Sequence, residues 1–535
     1  MPQRHGFVYG ALLLALAAVV SKLLGSVYTI VLQNVMGDQG MGLFQMAYPV
    51  YATLLAVATA GFPVAISKMV SERVALGDEY GVRQVFRMAV VLLSALGAGS
   101  FVLLYGWADA WAKLAGDPAA AWAIRAIAPA LLVVPALSAL RGYFQGYQWM
   151  QPTAASQVVE QVVRVMTILG LAIWLTAAGF GKEMAAAGAA FGAVTGALAG
   201  LLMMVGYWLR QQQTRPVGRR PDSLSGRTLA KQLLLTAFPI SLGALVVPLM
   251  NNVDVVTVVN LLKHTGETQV QATTDFGLLT GRAFKLMMLP TTLAAGIGVA
   301  VMPAVSEAFT LGFRGLVSDR VDTAIRLTVL IALPAGIGLL LLAGPVDVAL
   351  FKDAAGVDVI QAMACATVFA SLQTTVAAVL QGAGWMYLPV LNLLLASAVK
   401  LCGNLLLVPG YGIRGAAWAT VFSYAVATLL NFVALRHRLH LPLHWRGWFA
   451  RPALATFIMG AAVFAMERQW RWMGGMAWGR MGIAAASGIM VGIAIAIYAV
   501  ALLVTGSVRQ QDVAAIPRIG PRLAAWCQRL GWLNP

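Results

Sequence analysis

The sequence predicts an all-α polytopic membrane protein of about 14 transmembrane helices, arranged as two six-helix lobes plus two C-terminal helices. Three observations carry that prediction. Sixty per cent of the 535 residues are hydrophobic and only 11% are charged, with a mean hydropathy of +0.79, a composition that only chains built to sit in a bilayer reach. Apolar runs of about 20 residues recur along the whole chain, each long enough to cross a hydrocarbon layer. Finally, the order of motifs repeats once. GFPVAISKMVSERVALG at 61–77 is echoed by GIGVAVMPAVSEAFTLG at 296–312, an offset of 235. Gln145, Gly146, Trp149, Met150 and Arg164 are echoed by Gln381, Gly382, Trp385, Met386 and Lys400 at 236. Gly188-Ala-Ala-Phe191 returns as Gly415-Ala-Ala-Trp418 at 227. Three echoes in one order mark a tandem duplication.

Taken in order, apolar runs at 7–33, 43–66, 84–107, 121–141, 153–176 and 185–209 make a first lobe, 1–209. The start, MPQRHGFVYGALLLALAAVV, has the look of a signal peptide, with Ala15-Leu16-Ala17 as a cleavage site. The apolar run continues past Lys22 to Gln33, too long for such a segment, so an uncleaved first span is expected. The stretch 210–232, rich in Arg, Gln and Pro, reads as a basic cytoplasmic loop between lobes. Runs at 233–260, 276–302, 323–343, 357–381, 388–408 and 414–435 fill a second lobe, 233–436. Two more, 452–467 and 481–505, lie in 437–505 after a basic linker, and 506–535 is a basic tail.

The formal net charge is +17. Its cations are spread among loops rather than gathered on a soluble domain, so they speak for positive-inside topology and against nucleic acid. That bias places both termini in the cytoplasm. Because each repeat holds an even number of spans, both enter the membrane in the same sense, which sets a pseudo-two-fold axis along the membrane normal. Cys365, Cys402 and Cys527 lack metal or disulfide spacing and read as unpaired thiols. Metalloprotease, nucleophile-elbow, Walker A and dinucleotide signatures are missing. The sequence therefore points away from enzymes, cofactors, metals and nucleotides, and leaves an ion gradient, the membrane potential or the substrate gradient to drive any transport.

Chemistry is expected where charge enters the bilayer, since an ionised side chain facing lipid costs about 2.5–3.5 kcal/mol on insertion scales. The segment at 141–164 is a polar island. Pro152 opens a helix on which Gln157, Glu160, Gln161 and Arg164 share one face. Lys22, Arg164 and Lys400 lie near mid-span; Arg282 and Lys285 are one turn apart; Arg125, near a helix end, reads as structural. Only Glu160 and Asp254 are comparably deep acids. Glu160 at i−4 can neutralise Arg164 as a purely structural pair, but the other cations keep a positive surplus. Lys22, Arg164, Lys400, Arg282 and Lys285 are thus candidates to hold an anionic headgroup, with phosphate suited to Lys and Arg. Glu160 and Asp254 remain candidates for charge pairing or for a coupling ion.

SKLLGSVYTIVLQNVMGDQGMGLFQMAYPVY, GFPVAISKMVSERV and RGYFQGYQWMQPTAASQVVEQVVRV resemble the polysaccharide-transporter branch of the multidrug/oligosaccharidyl-lipid/polysaccharide exporter superfamily. Within it they are similar to the stage V sporulation protein B group and MurJ-like lipid II flippases. The resemblance implies two six-helix lobes, alternating access, a lipid-linked anionic substrate, membrane lipids as neighbours, and two extra helices forming a groove for a lipid tail. Lys22, in Ser-Lys-Leu-Leu-Gly, matches the family's first-helix cation. The usual second cation is replaced by Tyr28-Thr29, and a paired-Arg stretch after the second helix start is missing. Three other readings stay open. A cation-coupled drug exporter would favour acids in its cavity, a membrane scaffold in envelope or spore assembly would not need deep repeated cations, and a membrane-bound transferase would need a catalytic acid cluster.

Overall fold

A computed structural model describes residues 7–212, 225–439 and 444–507, without the side chains of 7–16, 18–20, 22, 23, 26 and 212. The core of the inter-lobe loop and the tail from 508 lie outside the described residues. Among those described, helix dominates and no strand occurs. Among the described residues, thirteen stretches are long and apolar enough to cross a membrane. The chain forms two compact units, divided after Gly277.

The first unit contains α1 (Phe7–Thr59), α2 (Phe62–Ala75), α3 (Glu79–Gly106), α4 (Ala108–Leu114), α5 (Ala120–Ile127), α6 (Ala130–Gly146), α7 (Gln151–Ala177), α8 (Gly181–Gln212), α9 (Gly226–His264) and α10 (Gln269–Gly277). The first two apolar runs of the sequence lie end to end in α1. Gly37, at φ 73° and ψ 178°, breaks the helix between them. Only glycine adopts that backbone without strain. Helices α9 and α10, which the apolar runs assign to the second repeat, pack on α1.

The second unit opens with a π-helical segment, Leu278–Ala283. It continues with α11 (Phe284–Thr310), α12 (Arg314–Leu341), α13 (Ala343–Phe351), α14 (Val357–Gly382), α15 (Tyr387–Tyr411), α16 (Ile413–Leu439), a second π-helical segment (Arg446–Ala450), α17 (Arg451–Trp472) and α18 (Arg480–Val504). Large apolar side chains such as Leu406, Phe457 and Met481 stand more than two-thirds exposed. So many outward apolar groups suit lipid and not water.

Each unit is packed in the same way, residue by residue. Ile66, Val70, Val82 and Ala89 are core residues of the first unit, and Val301, Val305, Val317 and Ala324, each 235 further on, are core residues of the second. The close helix contacts repeat too. Gly142 lies against Pro63 and Gly298 against Ala378; Gly146 faces the Ser67 carbonyl and Gly382 that of Met302; Gly188 lies on Leu171 and Gly415 on Leu407. A glycine at such a crossing lets two backbones approach where a Cβ would collide. Gly382→Val should therefore lower the unfolding free energy by about 1–3 kcal/mol through overpacking. Gly338→Ala, which meets nothing within 4 Å, should leave the melting temperature of the detergent-solubilised protein unchanged.

Candidate functional site

The polar face of α7 is held in place from below and from the side. Pro152 sits in its first turn. Further along, α8 closes against its backbone through Gly196, where a Cβ would come within 2.7 Å of both the Glu160 carbonyl and the Arg164 Cβ. On this face Glu160 accepts from two guanidiniums, Arg164 at 2.5 Å and Arg141 at 2.8 Å. Arg141, at the end of α6, also donates to the Ser156 hydroxyl at 3.1 Å. The three charged side chains are only 12–21% exposed. Tyr28, Tyr48 and Tyr51 of α1 come within electrostatic reach of Arg164. Arg164 Nε and Gln157 Oε1 are buried without a hydrogen-bond partner among the described residues. The cluster thus holds two cations on one carboxylate, with donor and acceptor capacity to spare. The expected Glu160–Arg164 pair exists, and Arg141 is the member that the sequence did not reveal.

The remaining candidates fall in different settings. Asp254 is buried on α9. The Lys22 side chain lies outside the described residues. Arg125 pairs at the surface with Asp109 at 2.6 Å, in line with a structural role.

In the second unit the π-helical segment widens the backbone turn at Arg282, which is 2% exposed and engaged by two carboxylates: Asp347 Oδ1 at 3.1 Å and Asp353 Oδ1 at 2.7 Å. Its guanidinium also lies 5.1 Å from the Phe351 ring centroid. The same cation favours the charged form of both acids, but burial decides the outcome differently at each. Burial pushes the fully enclosed Asp347 up despite Arg282. Burial also acts on Asp353, but the Arg282 hydrogen bond and the Ala355 N–H outweigh it and hold this acid low. Arg282 is thus already neutralised, and both acids escaped the sequence tally because they lie between apolar runs. Arg282→Ala should cost about 3–5 kcal/mol by leaving Asp347 buried and unpaired. Thermal unfolding of the purified protein would show it as a large drop absent from Lys285→Ala. Lys285, one turn further on and half-buried, forms no ion pair among the described residues.

Lys400 is 0% exposed on α15, between Ser397 and Asn404 on the same face. Helix α16 closes over this seam: Ser423 donates to the Ala396 carbonyl at 2.7 Å, and Asn392 donates to Asn431 at 2.8 Å. A position expected to meet an anion in water is therefore covered. Among the described residues no group of three or more His, Cys, Asp and Glu side chains is placed to hold a metal.

The family model described as "Polysaccharide biosynthesis protein" matches residues 7–309. The chain is 31% identical over 529 residues to "Uncharacterized membrane protein YabM" of Bacillus subtilis (strain 168), covering 98% of each. It is 30% identical over 476 residues to "Lipid II flippase MurJ" of the same organism, covering 85% of this chain and 87% of the relative. Among solved structures it is similar to "Lipid II flippase MurJ, inward closed conformation", with a TM-score of 0.65 at 13% identity, covering 92% of this chain and 98% of that one. An inward-facing multidrug resistance MATE family transporter gives the same TM-score at 18% identity, covering 78% and 94%. The apolar helices among the described residues and the 30% identity to a flippase over most of both chains place this multi-pass membrane protein with transporters rather than enzymes. The chain belongs to the polysaccharide biosynthesis protein family.

Proposed function

We propose that this protein is a flippase for a polyprenyl-pyrophosphate-linked cell-wall precursor, lipid II or a related oligosaccharide lipid, in a bacterial plasma membrane. The observation that carries the reading is the Arg141–Glu160–Arg164 cluster, a net positive site inside an apolar helix bundle. Such a site suits a diphosphate and opposes a cationic drug. Its 30% identity to a lipid II flippase supports the same cargo. In the first unit the residues for the headgroup are Arg164 and Arg141, with Lys22; in the second unit they are Lys285 and Lys400, and Arg282, clamped by its two acids, positions Lys285 one turn away. Opening to each membrane face in turn, the scheme expected of duplicated transporters, moves the headgroup while the lipid tail stays in the bilayer. The membrane potential or a monovalent cation drives it, with Asp254 as the acid for the latter. Both termini and the 210–232 loop face the cytoplasm. Reconstitution in liposomes tests this reading: labelled lipid II should cross in a protein-dependent manner, faster or slower when a potential is imposed. Transport of a cationic drug with no movement of lipid II would favour the exporter reading instead.

A further inference from the structure

A cavity of about 640 Å³ lies where α12 meets the second π-helical segment, lined by Asp322, Arg326, His444, Trp445, Arg446 and Trp448. None of the residues assigned above to the headgroup contributes to it. Its acid is already committed: Asp322 accepts from the Trp448 indole at 3.0 Å and lies 3.2 Å from the His444 ring. Arg326, 5% exposed and buried in the helix packing, and Arg446, exposed at the rim, bring two guanidiniums to the same space. Trp445 is half-exposed beside them. Amphipathic rings of this kind sit at the level of lipid headgroups.

The other repeat carries the same combination. An offset of 235 takes Arg87 and Val91 of α3 to Asp322 and Arg326 of α12. There a second cavity, of about 370 Å³, is lined by Arg83, Arg87, Phe86 and Trp208. Its acid, Glu79, is likewise committed, accepting from the Tyr147 hydroxyl at 2.7 Å. Two guanidiniums, aromatic walls and an occupied carboxylate therefore occur again beside α3, the helix equivalent to α12, although no lining residue is matched in type and Trp445, Arg446 and Trp448 stand outside the repeat.

We propose that the α12 cavity is a binding site for a phosphate-bearing anion, the headgroup of an anionic phospholipid or free phosphate, separate from the transported substrate. Planar guanidiniums grip phosphate oxygens in pairs, and the tryptophans cover the adjoining glycerol when the anion is a lipid. The test uses the purified full-length protein in detergent, titrated with phosphatidylglycerol, phosphatidylcholine or inorganic phosphate, and read by native mass spectrometry and thermal shift. Phosphatidylglycerol should be retained over phosphatidylcholine. Arg446→Glu, at an exposed position, should weaken that retention about tenfold, a typical loss when one charge-assisted contact is removed, while Arg326→Lys should weaken it less. A thermal shift with inorganic phosphate that Arg446→Glu abolishes would identify the free anion as a ligand; retention of phosphatidylglycerol without that shift would identify the lipid. Equal binding by wild type and Arg446→Glu, or no preference for any phosphate anion over phosphatidylcholine, would overturn the proposal. Binding is read here without transport, so the result stands apart from the flippase reading.

Discussion

Glu160→Ala is expected to cost the first unit about 3–5 kcal/mol, the range for breaking a buried ion pair from one side. The effect is large because one carboxylate serves two cations: Arg164 at 2.5 Å and Arg141 at 2.8 Å would be left facing each other with little water to screen them. Removing either arginine should cost less. After Arg164→Ala, Glu160 keeps Arg141, so the intrahelical pair is not its only neutraliser. Arg141→Ala should release the Ser156 hydroxyl as well. Thermal unfolding in detergent orders the variants, Glu160→Ala lowest. A melting curve for Glu160→Ala that overlays the wild type would mean the cluster does not pin α6 to α7. The double variant Glu160→Gln/Arg164→Gln removes one charge of each sign and leaves Arg141 as the single cation of the cluster beside a neutral amide, so it should melt above Glu160→Ala. If Arg164 meets cargo, this variant should reach the membrane and still fail to flip lipid II. Recovered flipping would make the pair structural.

The parts of this molecule that could be read from sequence are those written as periodicity. The duplication was legible because close helix crossings demand glycine, and Gly146 and Gly382 recur with their partners at matched offsets. The polar face of α7 was legible because four polar residues fall on one side of a helix flanked by apolar ones. Arg141 was not, since it ends an apolar run and reads as loop, and nothing local says that α6 returns it to Glu160 nineteen positions on. Asp347 and Asp353 hid for a similar reason. They belong to a short helix and a turn between spans, where hydropathy carries no signal, yet folding brings both to Arg282. Helix boundaries followed the same logic. Apolar runs separate the first two spans, and the break between them is a single glycine inside a continuous helical stretch, at Gly37. Lys400 shows the opposite limit. Its depth along the span was evident from position, but whether a neighbouring helix covers it depends on packing that no single helix encodes.

That cover sharpens the last expectation. Lys400 is 0% exposed and stands, at an offset of 236, in the place Arg164 holds in the first repeat. For it to hold an anion, the seam between α15 and α16 must open during transport, and the ammonium must then find the diphosphate in place of its resting surroundings. Loss of one partner in a desolvated charge pair costs about 2–5 kcal/mol, so Lys400→Ala and Lys400→Gln should slow lipid II flipping in liposomes by well over about tenfold. Lys400→Gln keeps much of the side-chain length and its hydrogen-bonding capacity while removing a buried charge, so its melting temperature should fall far less than its flipping rate, whereas Lys400→Ala adds the cost of a cavity at a fully buried position. Lys400→Arg keeps the charge and should retain more activity than Lys400→Gln, despite fitting the tight seam less well. Arg125→Ala serves as the comparison, since its surface pair with Asp109 is worth about 0–1 kcal/mol and its loss should leave flipping near wild type. If the Gln and Arg variants flip equally well, charge at position 400 does not grip the headgroup, even if the protein is a flippase. If instead Lys400→Gln melts far below the wild type, the lysine is a structural element of the α15–α16 seam, and the anion must be held by the α7 cluster.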